Sequence, residues 1–84
     1  MPSPTQPVTL SASQIEELNR QLSTMRHDIN NHLSLIMAAV ELIRRKPDAI
    51  ERMSGTLADQ PAKISDAMSK YSVKFESAFG ITRD

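Results

Sequence analysis

The sequence predicts an all-α protein in which an antiparallel helical hairpin pairs with a second copy to form a homodimeric four-helix bundle. Two long stretches repeat apolar residues every seven positions, a proline separates them, and the 84 residues include no cysteine. Seven-residue apolar repeats are typical of helices packed along one face. A chain this short without disulfides or thiolate zinc sites usually needs a partner for stability, which favours a dimer.

Composition excludes several classes of function. Lys+Arg and Asp+Glu both number 10, so we expect no nucleic-acid partner. The longest apolar runs, such as LIMAAV at residues 35–40, fall far short of the roughly 20 residues that cross a bilayer. The N-terminus has no basic segment ahead of an apolar core, which a secretory signal would require. We therefore expect a cytoplasmic protein with no membrane partner.

The N-terminal residues predict a flexible segment followed by one domain. Residues 1–10 contain three prolines and little that could be buried, so we assign residues 11–84 to the hairpin domain. Two overlapping capping boxes could start the first helix. They pair Ser11 with Gln14 and Ser13 with Glu16.

The first helix is predicted over residues 13–46, about 50 Å at 1.5 Å per residue. Its apolar residues occupy two heptad positions, and Leu33 and Val40 widen the stripe. The first position holds Ile15, Leu22, Ile29, Ile36 and Ile43, and the second holds Leu18, Met25, His32 and Ala39. This stripe predicts a seam that packs against a neighbouring helix.

Basic residues and a proline mark the end of this helix. The cluster at residues 44–46 places positive charge beside the free carbonyls of a last turn, and Pro47 disfavours helical geometry at the residue before it. We therefore interpret the cluster as a helix terminus rather than a phosphate-binding patch. Asp48 can cap a second helix with Glu51 at the capping-box position, and so short a connection predicts a hairpin.

The second helix repeats the pattern. Its heptad position holds Ile50, Leu57, Ile64, Tyr71 and Ala78, with Met53, Met68 and Phe75 beside it. Pro61 removes a helix hydrogen bond, so we expect a kink or restart near residues 59–62, and Gly80 is a natural stop. Each stripe is broader than one partner helix can cover, which again predicts the dimeric bundle.

The two histidines fall on different sides of the first helix. With Ile29 at heptad position a, His32 falls at d, inside the seam, and His27 falls at f, facing outward. We expect His32 to be a hydrogen-bonded interface histidine with Asp28 as an available partner. The five-residue spacing of the histidines disfavours a metal site, and two glycines cannot form a phosphate-binding loop for ATP.

The residues RHDINN at 26–31 resemble the phosphoacceptor box of sensor histidine kinases and histidine phosphotransfer proteins. In that family an acid follows the histidine and an Asn or Thr lies four residues after it, and HDINN is similar to the HD-x-NN variant. The family's dimerisation and phosphotransfer domain is a hairpin that pairs into a four-helix bundle with the histidine facing outward. The resemblance thus implies a phosphoryl acceptor at His27, with Asp28 and Asn31 as its catalytic neighbours.

Two features depart from the family pattern. Many members have a proline one residue after the Asn, where this sequence has His32, although Pro61 could loosen the bundle at a similar level. The ATP-binding domain of a kinase would need well over a hundred further residues, which this sequence does not contain. The resemblance therefore implies a phosphotransfer intermediate rather than an ATP-dependent kinase.

The chemistry suits these residue types. An outward imidazole is a nucleophile that is largely neutral near pH 7 and open to in-line attack. Asp28 can accept its proton and fix its tautomer, and Asn31 could orient the phosphoryl group or a water. The protein needs no cofactor of its own, because Mg²⁺ and the accepting aspartate come with the partner, a response-regulator receiver domain. We expect its docking surface at Asn30, Ser34, Met37, Ala38 and Glu41.

Three alternatives remain open at this stage. The chain could be a non-catalytic dimeric adaptor or regulatory bundle with a degenerate histidine box, which predicts that His27→Ala leaves its output intact. It could be a phosphatase acting on a phosphorylated receiver through Asn31. It could also be a fragment of a kinase separated from its ATP-binding domain.

Overall fold

Two long helices joined by one turn of 3₁₀ helix form a hairpin. The computed structural model describes residues 6–80, in which helix α1 spans Ala12–Arg45, the 3₁₀ turn spans Pro47–Ala49 and helix α2 spans Ile50–Phe79. No strand occurs in these residues, so the predicted all-α hairpin is confirmed there. Residues 1–5, half of the predicted flexible segment, and residues 81–84 lie outside this range.

Helix α1 begins at a reciprocal capping box. The Gln14 N–H donates to the Ser11 hydroxyl oxygen at 3.1 Å, and the Ser11 N–H donates to the Gln14 side-chain oxygen at 2.8 Å. The first of the two possible boxes is therefore the one that forms. Helix α1 accordingly begins at Ala12, one residue earlier than predicted.

The other end of α1 carries the basic cluster. Arg44 and Arg45 lie in the last turn, 3.8 and 3.3 Å from the carboxylate of Glu41. The Lys46 N–H donates to the Leu42 carbonyl at 2.8 Å and closes the helix. The positive charges thus lie at the helix terminus, where they favour its free carbonyls.

The predicted cap of the second helix is wrong. Asp48 lies inside the 3₁₀ turn, and Ala49 precedes α2 without a side-chain capping bond. Pro47 suits the first position of this turn because it has no N–H to satisfy there. Glu51 does lie in the first turn of α2, where a negative charge favours the helix N-terminus.

Helix α2 continues through Pro61, so the predicted restart near residues 59–62 is wrong. Pro61 cannot donate to the carbonyl four residues earlier, but the Gln60 side chain donates from Nε2 to the Thr56 carbonyl at 3.0 Å in the same turn. Packing against α1 holds the helix together across this point. Gly80 ends α2 at φ 65°, as predicted, because glycine adopts left-handed geometry without strain.

The helices pack along the predicted seam, but burial is incomplete. Among apolar side chains of residues 6–80, only Ala39, Ala49 and Ala67 are buried. Seam residues such as Ile36 and Ile64 remain half-buried because each helix has a single neighbour. Within residues 6–80, neither helix is both long and apolar enough to cross a membrane.

Candidate functional site

His27 lies on the outer side of α1. Its side chain is exposed and has no hydrogen bond or ion pair among residues 6–80. His27 precedes His32 by five residues, which turns it about 140° around the helix axis from the contact with α2. The imidazole is therefore open to solvent and to an approaching partner.

Asp28 faces different surroundings from its neighbour. It is half-buried and lies beside an open groove of about 290 Å³ between the two helices, which we call the polar groove. The groove is lined by Asp28, His32, Ala62, Lys63, Asp66, Ala67 and Lys70. Consecutive helical residues point about 100° apart, so the structure does not bring the His27 ring and the Asp28 carboxylate into direct contact.

The polar groove contains charges of both signs. Lys70 Nζ lies 3.2 Å from the Asp66 carboxylate, an exposed i,i+4 ion pair on α2. Lys63 and Asp28 line the same groove from opposite helices. The charged side chains of the groove therefore sum to zero, and Asp28 has cations on the facing helix.

Asn31 is exposed one turn after His27. Residues four apart on a helix are surface neighbours, with Cβ atoms about 5–6 Å apart. Among the three predicted catalytic residues, the structure therefore brings His27 and Asn31 together on the outer side and places Asp28 at the edge of the groove.

His32 is half-buried at the contact between the helices, but its predicted partner is wrong. Its Nδ1 lies 2.8 Å from Oε1 of Gln60 on α2, whereas Asp28 lines the same groove without a hydrogen bond to it. Gln60 is only 2% exposed, and its Nε2 bonds the Thr56 carbonyl. A bond that spans 28 residues could not be found from local spacing. The available signal was that Gln60 lies seven residues from both Met53 and Ala67, a polar residue at an apolar heptad position.

The predicted docking surface lies on the outside of α1. All five of its residues are exposed: Asn30, Ser34, Met37, Ala38 and Glu41. Met37 is 72% exposed, so it lies outside the contact between the two helices of the hairpin. The Glu41 carboxylate is shared with Arg44 and Arg45, which leaves one net positive charge on these three residues.

Large apolar side chains are exposed on both sides of the hairpin, and a group of four on one side is what we call the apolar flank. It consists of Leu33 and Val40 on α1, 45% and 44% exposed, and Ile50 and Met68 on α2, 53% and 52% exposed. Ile50 and Met68 are 18 residues apart, five full helical turns, so they share a side of α2.

The apolar flank and the polar groove lie on opposite sides of the helix contact. On α1 the contact residue is His32, which Leu33 follows by one residue and Asp28 precedes by four. Leu33 and Asp28 are therefore rotated around the helix axis in opposite directions from the contact. On α2 the contact residue is Gln60, and Met68 and Asp66 come eight and six residues after it. These two side chains are also rotated in opposite directions from the contact. Because the helices run antiparallel, equal senses of rotation lead to the same side of the hairpin.

Among residues 6–80, no group of three or more His, Cys, Asp or Glu side chains could hold a metal ion. Comparison of the chain with protein-family models, curated proteins and solved structures found no match.

Proposed function

We propose that this protein is a cytoplasmic, dimeric histidine phosphotransfer protein that relays a phosphoryl group between His27 and the aspartate of a response-regulator receiver domain. The observation that supports this most directly is the exposed His27 on the outer side of α1, with Asp28 and Asn31 within one turn. A phosphoryl acceptor must be reached in line by its donor, and this position offers that access.

The transfer step involves one nitrogen of His27 and the acyl phosphate of the receiver. The unprotonated nitrogen attacks phosphorus, an N–P bond forms, the P–O bond breaks, and the receiver aspartate leaves as a carboxylate. The other ring nitrogen then gives up its proton. Mg²⁺ bound by the receiver neutralises the phosphoryl oxygens, so this chain needs no metal of its own.

Asp28 and Asn31 act beside this step. Asp28 takes the imidazole proton through a bridging water, since its carboxylate lies at the polar groove rather than on the ring. Asn31, exposed one turn away, donates its amide N–H to a phosphoryl oxygen. The same amide could orient a hydrolytic water, which is the phosphatase alternative.

The apolar flank supports the dimeric bundle. Its four large apolar side chains are each about half exposed in the single hairpin, and packing them on a second copy would remove them from water. A second hairpin placed flank to flank would complete four stripes around one core and leave His27 outside.

The experiment that tests the proposal follows phosphate onto the histidine. Purified receiver domains would be charged with acetyl phosphate and Mg²⁺, mixed with the protein, and the products mapped by mass spectrometry under alkaline conditions that preserve phosphohistidine. We expect label on His27, and none in His27→Ala or His27→Gln. Equal label in His27→Ala, or no label from any receiver, would contradict the proposal.

A non-catalytic adaptor is the second candidate function. The apolar flank favours it specifically, because that surface can bind a partner without using His27. This function predicts that His27→Ala binds its partners and supports biological output as well as wild type does. The phosphate-labelling experiment therefore separates the two candidates.

A further inference from the structure

Gln60 is fixed in one orientation by two hydrogen bonds. It is 2% exposed, its Nε2 donates to the Thr56 carbonyl at 3.0 Å, and its Oε1 faces His32 Nδ1 at 2.8 Å. Reversing the amide would place two donors against each other or two acceptors against each other. The carbonyl of Thr56 thus determines which atom of Gln60 meets the imidazole.

The orientation of Gln60 fixes the tautomer of His32. An amide oxygen can only accept, so Nδ1 of His32 must carry the hydrogen and donate it. In a neutral imidazole the other nitrogen, Nε2, then has a free lone pair. His32 is therefore held as a hydrogen-bond acceptor on its second nitrogen.

The free nitrogen of His32 is open to solvent. Nε2 of His32 has no hydrogen-bond partner among residues 6–80. Every buried side-chain nitrogen or oxygen of these residues does have a partner, so Nε2 is not one of the buried atoms. His32 lines the polar groove together with Asp28, one turn before it on the same helix. Side chains at this spacing are neighbours on a helix surface.

We infer that His32 is a positioning residue of the phosphotransfer site, whose Nε2 takes from Asp28 the proton that leaves His27. The inference rests on the proposed function. As the N–P bond forms and the receiver carboxylate leaves, the proton of His27 passes through water to an Asp28 oxygen. It then moves on to Nε2 of His32, because an imidazole nitrogen is ordinarily a stronger base than a carboxylate oxygen, and only the Nδ1–H tautomer has a free lone pair at Nε2.

Other charged groups face the same place. From α2, Lys63, Asp66 and Lys70 line the groove, and Asp66 is paired with Lys70 at 3.2 Å. Lys63 and Asp28 line the groove from opposite helices, so a cation lies across the groove from Asp28.

A His32→Asn variant separates this role from a purely structural one. The Asn amide nitrogen lies about where Nδ1 lies, so it can still donate to Gln60, but it offers no counterpart of Nε2. We expect the variant to keep the wild-type helical circular dichroism and to transfer phosphate to His27 about tenfold more slowly. Gln60→Leu, which removes the acceptor, should slow transfer as well and mix the tautomers of His32.

Two-bond ¹H–¹⁵N correlation spectra of wild type provide a readout that does not depend on transfer. They should show the Nδ1–H form at His32, with His27 as an unconstrained comparison. An Nε2–H form at His32, or wild-type transfer rates in a folded His32→Asn protein, would overturn the inference and leave the phosphotransfer function standing. No phosphate on His27 of wild type would overturn the proposed function, and the positioning role with it.

Discussion

The two sides of the hairpin come from the same two helices but differ in the chemistry that they expose. The apolar flank presents Leu33, Val40, Ile50 and Met68, each about half exposed, whereas the other side carries the polar groove with its paired charges beside the exposed Leu35 and Val73. Large apolar area suits a permanent partner, and a charged, open groove suits a surface that stays wet. His27 is turned toward the polar side, so the proposed dimer interface and the proposed phosphotransfer site would occupy different surfaces.

The same division separates the two histidines. His27 is exposed and has no partner among the described residues, whereas His32, five residues later, is bonded to a buried amide. One imidazole is therefore free to react, and the other is fixed in tautomer and orientation. A helix that is only half covered provides both environments within two turns.

The largest expected effect comes from breaking the apolar flank. Leu33→Asp would place a carboxylate in the flank-to-flank interface, where it has no partner. We expect the dimer dissociation constant to rise at least about 100-fold, roughly 2.7 kcal/mol, as measured by sedimentation equilibrium. Ser23→Asp is the matched control, since Ser23 is exposed and lies nine residues, or two and a half turns, before His32. A Leu33→Asp protein that remains dimeric would remove the apolar flank from the assembly.

A smaller effect is expected from the outer surface. Met37→Glu adds a negative charge to the surface at which we propose that a receiver with its own carboxylates docks, so KM for the phosphorylated receiver should rise about tenfold with kcat little changed. Val73→Glu is the control, because Val73 is 62% exposed but lies on α2 far from the turn. Equal KM values for the two variants would place docking elsewhere.

Local rules predicted the parts of this fold that depend on neighbouring residues. The Ser11 capping box, the end of α1 before Pro47 and the stop at Gly80 are each decided within a few residues, and all three were found. The outward position of His27 followed from helical periodicity alone. These features are encoded by short-range geometry.

Features that depend on contact between the helices were missed. Asp48 has a capping sequence, but Pro47 fits the first position of a 3₁₀ turn, so the cap does not form. Pro61 breaks a helix in isolation, yet packing against α1 keeps α2 continuous. Gln60 meets His32 across 28 residues, and this contact orients the His32 ring at the polar groove. Only the folded hairpin brings these groups together.

The cap of α1 lies apart from both sides of the hairpin and should affect stability alone. Ser11→Ala removes the oxygen that accepts from the Gln14 N–H, and we expect the free energy of unfolding to fall by about 1 kcal/mol. Ser13→Ala is the control, because the structure does not use Ser13 as the cap. Urea denaturation at a fixed protein concentration measures both. An equal loss in the two variants would mean that helix α1 begins elsewhere in solution.

The smallest effect concerns Gly55, which lies five residues before Gln60 and is thus turned away from the helix contact toward the groove side. A Cβ built there meets nothing within 4 Å, so Gly55→Ala should raise the free energy of unfolding by about 0.5–1 kcal/mol through helix propensity. Gly80→Ala should lower it, because φ at Gly80 is +65°. Since Gly55 lies off the apolar flank, the Gly55→Ala substitution should leave the dimer dissociation constant unchanged. A more stable Gly55→Ala protein that transfers phosphate more slowly would show that the groove side must yield during transfer, whereas an unchanged rate would mean that this side works as a rigid surface.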